Sequence, residues 1–139
     1  MSRRSFLLAG MLVFFCSVAP AYADPCKAPP PAQPGVRFFG TVRYVGDGDG
    51  LCVGRTADPN EWIEVPLADF DAPELHQAGG TAAKVALERI ALHREITSTA
   101  ERGQSGRVVS FDRVIARCRI GTDGIGDLLL QAGVVAGGN

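Results

Sequence analysis

The pattern of apolar and polar positions predicts a strand-rich chain with two helices. From Val36 the sequence VRFFGTVRYVG is dense in aromatic and β-branched residues and predicts a strand, with Gly40 as a bulge. An Asp-Gly turn follows, and LCVG predicts the second arm of a hairpin. RTADPN is built from turn formers, and EWIEVPLADF sets Trp62, Glu64 and Pro66 against Ile63, Val65 and Leu67, as a third strand would. Proline donates nothing to a ladder, so Pro66 belongs at an edge or a bulge.

Beyond this point Ala83, Ala86, Leu87, Ile90 and Ala91 recur at helical spacing, with Thr81 as the cap and the helix running to about Arg94. EITSTAE predicts a fourth strand, and GRVVSFDRVIARCRI one long strand or two short ones. Asp127 is read as the cap of a short helix, DLLLQAG, closed by Gly133. Three strands, a helix, further strands and a last helix make an α+β chain. A five-stranded OB-like barrel fits that order, with one helix between strands three and four and a short helix at the C-terminus.

The N-terminus changes the count of folded residues. Arg3 and Arg4, the run FLLAGMLVFF and Ala21-Tyr22-Ala23 match a signal peptide over residues 1–23, with SRRSFL similar to a twin-arginine signal. Export to the periplasm or medium is therefore expected, with no membrane anchor left on the mature chain. Residues 24–36, DPCKAPPPAQPGV, are crowded with proline and predict an extended tail, leaving 37–139 as the domain. The formal net charge of −1 excludes a protein that grips nucleic acid by bulk charge. Export of so small a domain favours a disulfide among Cys26, Cys52 and Cys118. Every pairing is open, and the reach of a flexible tail favours Cys26–Cys52. Few apolar runs lie outside the core pattern, so a monomer is expected.

The candidate chemistry is acidic. Asp47 and Asp49 lie in the first turn, and Asp69, Asp71 and Glu74 in LADFDAPE. Two carboxylates and a carbonyl suit a hard cation such as Ca²⁺, and a third carboxylate can act on a water. On spacing alone the same residues also suit a solvated hairpin and a proline-stabilised loop. An EF-hand fits less well, because Leu51 stands where that loop needs oxygen.

Taken together, VGDGDG at 45–50, LADFDAPE at 67–74, SGR at 105–107 and the closing LLxAG resemble the staphylococcal nuclease family. That family's pattern runs V-x-D-G-D-T, R-L-x-x-I-D-A-P-E, Y-G-R and L-V-x-x-G. The resemblance covers roughly residues 37 to 135 and implies an OB-fold and Ca²⁺-dependent hydrolysis of DNA or RNA, or binding of a nucleotide at a local site. It implies that Asp49 and Asp71 are Ca²⁺ carboxylates and that the carbonyl of Ala72 is a further ligand. Glu74 would act on the attacking water, Arg107 would bind phosphate, and Asp47 would support the turn. The chain departs from the pattern at three positions. Pro66 stands in place of the second arginine, Gly50 in place of a threonine, and Ser105 in place of the tyrosine before Gly-Arg. Weakened hydrolysis is therefore expected unless Arg43 or Arg55 supplies a guanidinium. A module that binds metal, nucleotide or a partner without turnover is the alternative.

Overall fold

The computed structural model describes residues 24–137, so the expected signal peptide lies outside the described residues. In chain order the elements are β1 (Arg37–Val45), β2 (Gly50–Gly54), a 3₁₀ turn (Pro59–Glu61), β3 (Ile63–Pro66) and α1 (Gly80–Ala91). Then come β4 (Glu95–Ala100), β5 (Val109–Ser110), β6 (Arg113–Val114), β7 (Ala116–Ile120), β8 (Asp123–Gly124) and α2 (Ile125–Gln131). The chain is thus α+β. A six-stranded sheet runs β3-β2-β1-β4-β7-β8 with antiparallel ladders, and β5 and β6 form a separate hairpin. The continuation of β3 touches the start of β7 through one parallel bridge, Leu67 to Ala116. Among the described residues no closed barrel is formed.

The strand count exceeds the expected five for a local reason. Phe111 and Asp112 both take left-handed backbone, φ 50 and 59, and fold residues 109–114 into their own hairpin. A turn at Gly121, φ 60, then lets β8 return against β7. The bulge of β1 lies between Val42 and Tyr44 rather than at Gly40. Gly40 instead permits close approach, because a Cβ there would come within 2.9 Å of the Gly54 carbonyl carbon. Pro66 ends β3 opposite Gly50, on an edge strand where the missing N–H costs no ladder bond.

Both helices start earlier than the cap residues predicted. Gly79, at φ 85, caps α1, and Thr81 lies inside its first turn. The helix ends at Ala91, short of Arg94, because His93 and Arg94 already exchange backbone hydrogen bonds with Val42. Gly124 caps α2, which puts Asp127 in the first turn, where its charge still favours the helix dipole. Gly133 closes the helix at φ 81, as expected.

One core joins the inner face of the sheet to both helices: Val42, Leu51, Val65, Leu87, Ile125 and Leu129 are each almost wholly buried. Burying each such side chain contributes about 1.5–3 kcal/mol. The 24–36 segment has no regular element, yet it is tied down. Cys26 is bonded to Cys52, Lys27 and Ala28 donate to the carbonyls of Pro59 and Trp62, and Gly35 donates to Ala100. Cys118 is buried as a free thiol beside the Ser98 hydroxyl. Among the described residues no helix is long and apolar enough to cross a membrane.

Candidate active site

The turn between β1 and β2 is shaped by its own side chains. Gly46 N–H donates to the Gly50 carbonyl, and Asp47 Oδ1 accepts the Asp49 N–H at 3.2 Å. Gly48 is buried. A Cβ there would lie 2.6 Å from the β-carbons of Ala72 and Ala83, so only glycine lets the turn seat between the DAPE loop and α1. A Cβ at position 50 would meet Asp47 Oδ1 at 2.7 Å, so glycine there leaves room for that carboxylate to fold over the turn.

Asp49 holds both ends of the loop that follows β3. Its carbonyl accepts the Leu67 N–H, and its Oδ2 accepts the Ala72 N–H at 2.7 Å. Between these anchors Phe70 is buried, which turns Asp71 outward. The carboxylate of Asp49 is pushed up to about 7, chiefly by burial, with Asp47 and Asp71 adding repulsion against the relief from the Ala72 amide. A desolvated acid with two acidic neighbours is a place where a cation is favoured.

A groove of about 670 Å³ opens here, lined among others by Asp49, Pro66, Asp71, Gln104, Arg113 and Leu130. Arg113 is the arginine among its lining residues. Its Nε donates to the Ser110 carbonyl at 3.4 Å and faces Glu64 Oε1 at 4.0 Å, and its guanidinium carbon stands 6.0 Å from the Phe111 ring centre. Phe111 is 89% exposed at the tip of the β5–β6 hairpin. Left-handed backbone costs a non-glycine residue roughly 1–2 kcal/mol, and burial of this ring offsets none of it. Glu64 is raised to about 7 by burial and by Asp24, which together outweigh Arg113.

Of the expected site residues, Asp49 and Asp71 line the groove beside Pro66, while Asp47 and Ala72 are tied to Asp49 by hydrogen bonds and lie outside the lining. Glu74 and Arg107 are not brought to the groove lining either. Glu74 is exposed one turn of loop away, its N–H donating to Gln77 Oε1. Arg107 is exposed, and its carbonyl accepts the Gly103 N–H. Arg43 is spent on the carbonyls of Gly54 and Arg55, and Arg55 faces other surface grooves. Asp69 pairs with Arg117 at 3.5 Å, and burial raises its carboxyl.

Arg113 lines the groove and was not singled out in the sequence; the signal available was an aromatic two positions before an arginine, Phe111-Asp112-Arg113. Among the described residues no group of three or more His, Cys, Asp and Glu is arranged to hold a metal ion. A Ca²⁺ would take two carboxylates here and fill its shell with carbonyl and water oxygens, a donor set whose chemistry fits that ion. No family model matches the chain, and no curated protein matches it.

Proposed function

We propose that the chain is an exported, Ca²⁺-dependent nuclease whose groove holds one phosphodiester at a time. The observation that carries this reading is the 2.7 Å bond from Ala72 N–H to Asp49, which joins the two acidic motifs around one partly buried carboxylate. Asp49, Asp71 and the Ala72 carbonyl would hold the ion, which when bound supplies charge neutralisation at the phosphoryl oxygens. Arg113, rather than Arg107, forks onto the same phosphate, and Phe111 offers a face to the adjoining base. The resemblance assigns the proton of the attacking water to Glu74, which stands exposed on the loop before α1, outside the groove lining. The new P–O bond forms as the leaving P–O bond breaks, and the leaving oxygen is protonated from solvent.

The curled sheet, with β3 touching β7 at Leu67 and Ala116, supports assignment to the OB-fold. The Cys26–Cys52 bond supports an oxidising compartment such as the periplasm. Incubating the mature protein with denatured DNA, with Ca²⁺ or with chelator, tests the activity. Ca²⁺-dependent cleavage above that of Glu74→Gln is the expected result, and its absence refutes the reading.

A second reading, a module that binds metal or nucleotide without turnover, is favoured by Pro66 in the groove and Glu74 outside its lining. It predicts calorimetric binding of Ca²⁺ or a nucleoside phosphate with no product formed.

A further inference from the structure

The outer face of the sheet, away from the groove, carries an arrangement that the hydrolytic site does not use. Register puts Phe39, Thr97 and Arg119 in one cross-strand row, and Arg37, Thr99 and Arg117 in the next. Neighbours in such a row share a face, and the opposite face of the same strands holds buried Ile96, Ser98 and Cys118. Phe39 stands 58% exposed in the middle of a strand. Grooves of about 640 Å³ and 570 Å³ flank its ring, and Arg55 lines both. Trp62 lies over Gly54 at one border, where a Cβ would meet its ring at 2.1 Å, and its indole N–H donates to the Thr56 carbonyl.

Arginines outnumber the free acids on this face. Glu101 is taken by Arg117, while Glu61 and Glu95 each line one of the two grooves beside Phe39 and offset part of the charge of Arg37, Arg55 and Arg119. Arg37, Arg55 and Arg119 are exposed around the ring, with the hydroxyls of Thr97 and Thr99 between them. An exposed aromatic on a sheet, ringed by arginines and hydroxyls, matches the way proteins hold unpaired bases while neutralising their phosphates.

We infer that this face is a second contact surface for single-stranded nucleic acid. A base stacks on Phe39, and backbone phosphates on either side meet Arg37, Arg55 and Arg119. Phe39 lies six positions before Val45 on β1, roughly 20 Å at about 3.3 Å per residue, so the platform engages the strand well away from the Asp49 groove. The choice of a polynucleotide as occupant rests on the nuclease reading above. A paired duplex hides its base faces and gains nothing from Phe39.

The test is fluorescence anisotropy of a labelled oligothymidylate with the purified protein in chelator, which removes the hydrolytic metal. Phe39→Ala weakens binding by about 5–150-fold, as loss of one stacked base should. Arg37→Gln and Arg119→Gln each flatten the salt dependence by about 0.7 in log–log slope. A urea midpoint equal to wild type for Phe39→Ala shows that an exposed ring was removed without harm to the fold. Wild-type binding that is absent, indifferent to Phe39, or equal for duplex and single strand overturns the inference. Cleavage of a dinucleotide with Ca²⁺, too short to span both surfaces, separates the two readings. No cleavage with Phe39-dependent binding retained refutes the nuclease alone. Cleavage with Phe39-independent binding refutes the platform alone.

Discussion

The backbone N–H of Ala72 donates to Asp49 Oδ2 at 2.7 Å across 23 positions of sequence. One carboxylate therefore fixes the position of the loop that carries Asp71 and Pro73, and it is itself withdrawn from water. With Gly48 seated against Ala72 and Ala83, the first turn, the DAPE loop and α1 form one packed unit. The acidic site is a product of that packing.

Gly48→Ala should be the sharpest structural probe of this unit. Its methyl would press on two β-carbons at 2.6 Å, contacts that backbone movement alone can relieve. A loss of about 1–3 kcal/mol in urea unfolding is expected, as for other overpacked sites. A variant as stable as wild type would mean that the turn is not held there.

The raised carboxyls give the metal-free protein a pH signature. Asp49 moves from 3.8 and Glu64 from 4.5, each to about 7. A carboxyl whose folded pKa is raised favours the folded state while it is protonated. That contribution is complete below the unfolded values and is lost as pH rises through about 7. In chelator, thermal stability should decline between pH 4 and pH 7. Ca²⁺ should restore stability chiefly at and above pH 7, where Asp49 ionises without a proton competing for it. Glu64→Gln should flatten part of the decline and keep the Ca²⁺ response. A Ca²⁺ response independent of pH would contradict the assignment of Asp49 as a ligand.

Cys26–Cys52 anchors the proline-rich segment and closes a separation of 26 residues. Replacing the pair by serine should cost about 2–4 kcal/mol in denaturant unfolding. Cys118 is a different kind of thiol, pushed up to about 12 by burial. It should resist a thiol reagent in the native protein and react at once in urea, and fast native labelling would contradict its burial.

The strands and helices were legible wherever one periodicity ran unopposed, as in β1, β4 and the Ala83–Leu87–Ala91 face of α1. The boundaries were not, because tertiary partners set them. His93 and Arg94 carry helical sequence but are claimed by Val42, and Gly79 rather than a hydroxyl opens α1. That the DGDG turn and the DAPE loop meet was legible because both are local motifs flanking neighbouring strands. That Arg113 lines the same groove was not, since it depends on a turn at Phe111 and Asp112. Those residues carry no glycine or asparagine to announce their left-handed backbone. Proximity of Arg43 to the hairpin in sequence was equally uninformative, because its side chain caps the carbonyls of Gly54 and Arg55.

Which guanidinium meets the phosphate is decided by kcat/KM for denatured DNA with Ca²⁺, measured for wild type, Arg107→Gln and Arg113→Gln. Arg113→Gln should lose about 10²–10³-fold, the usual cost of removing one charge-stabilising donor, with Arg107→Gln close to wild type. Cleavage that depends on Arg107 and tolerates Arg113→Gln would contradict the assignment of Arg113 to the phosphate.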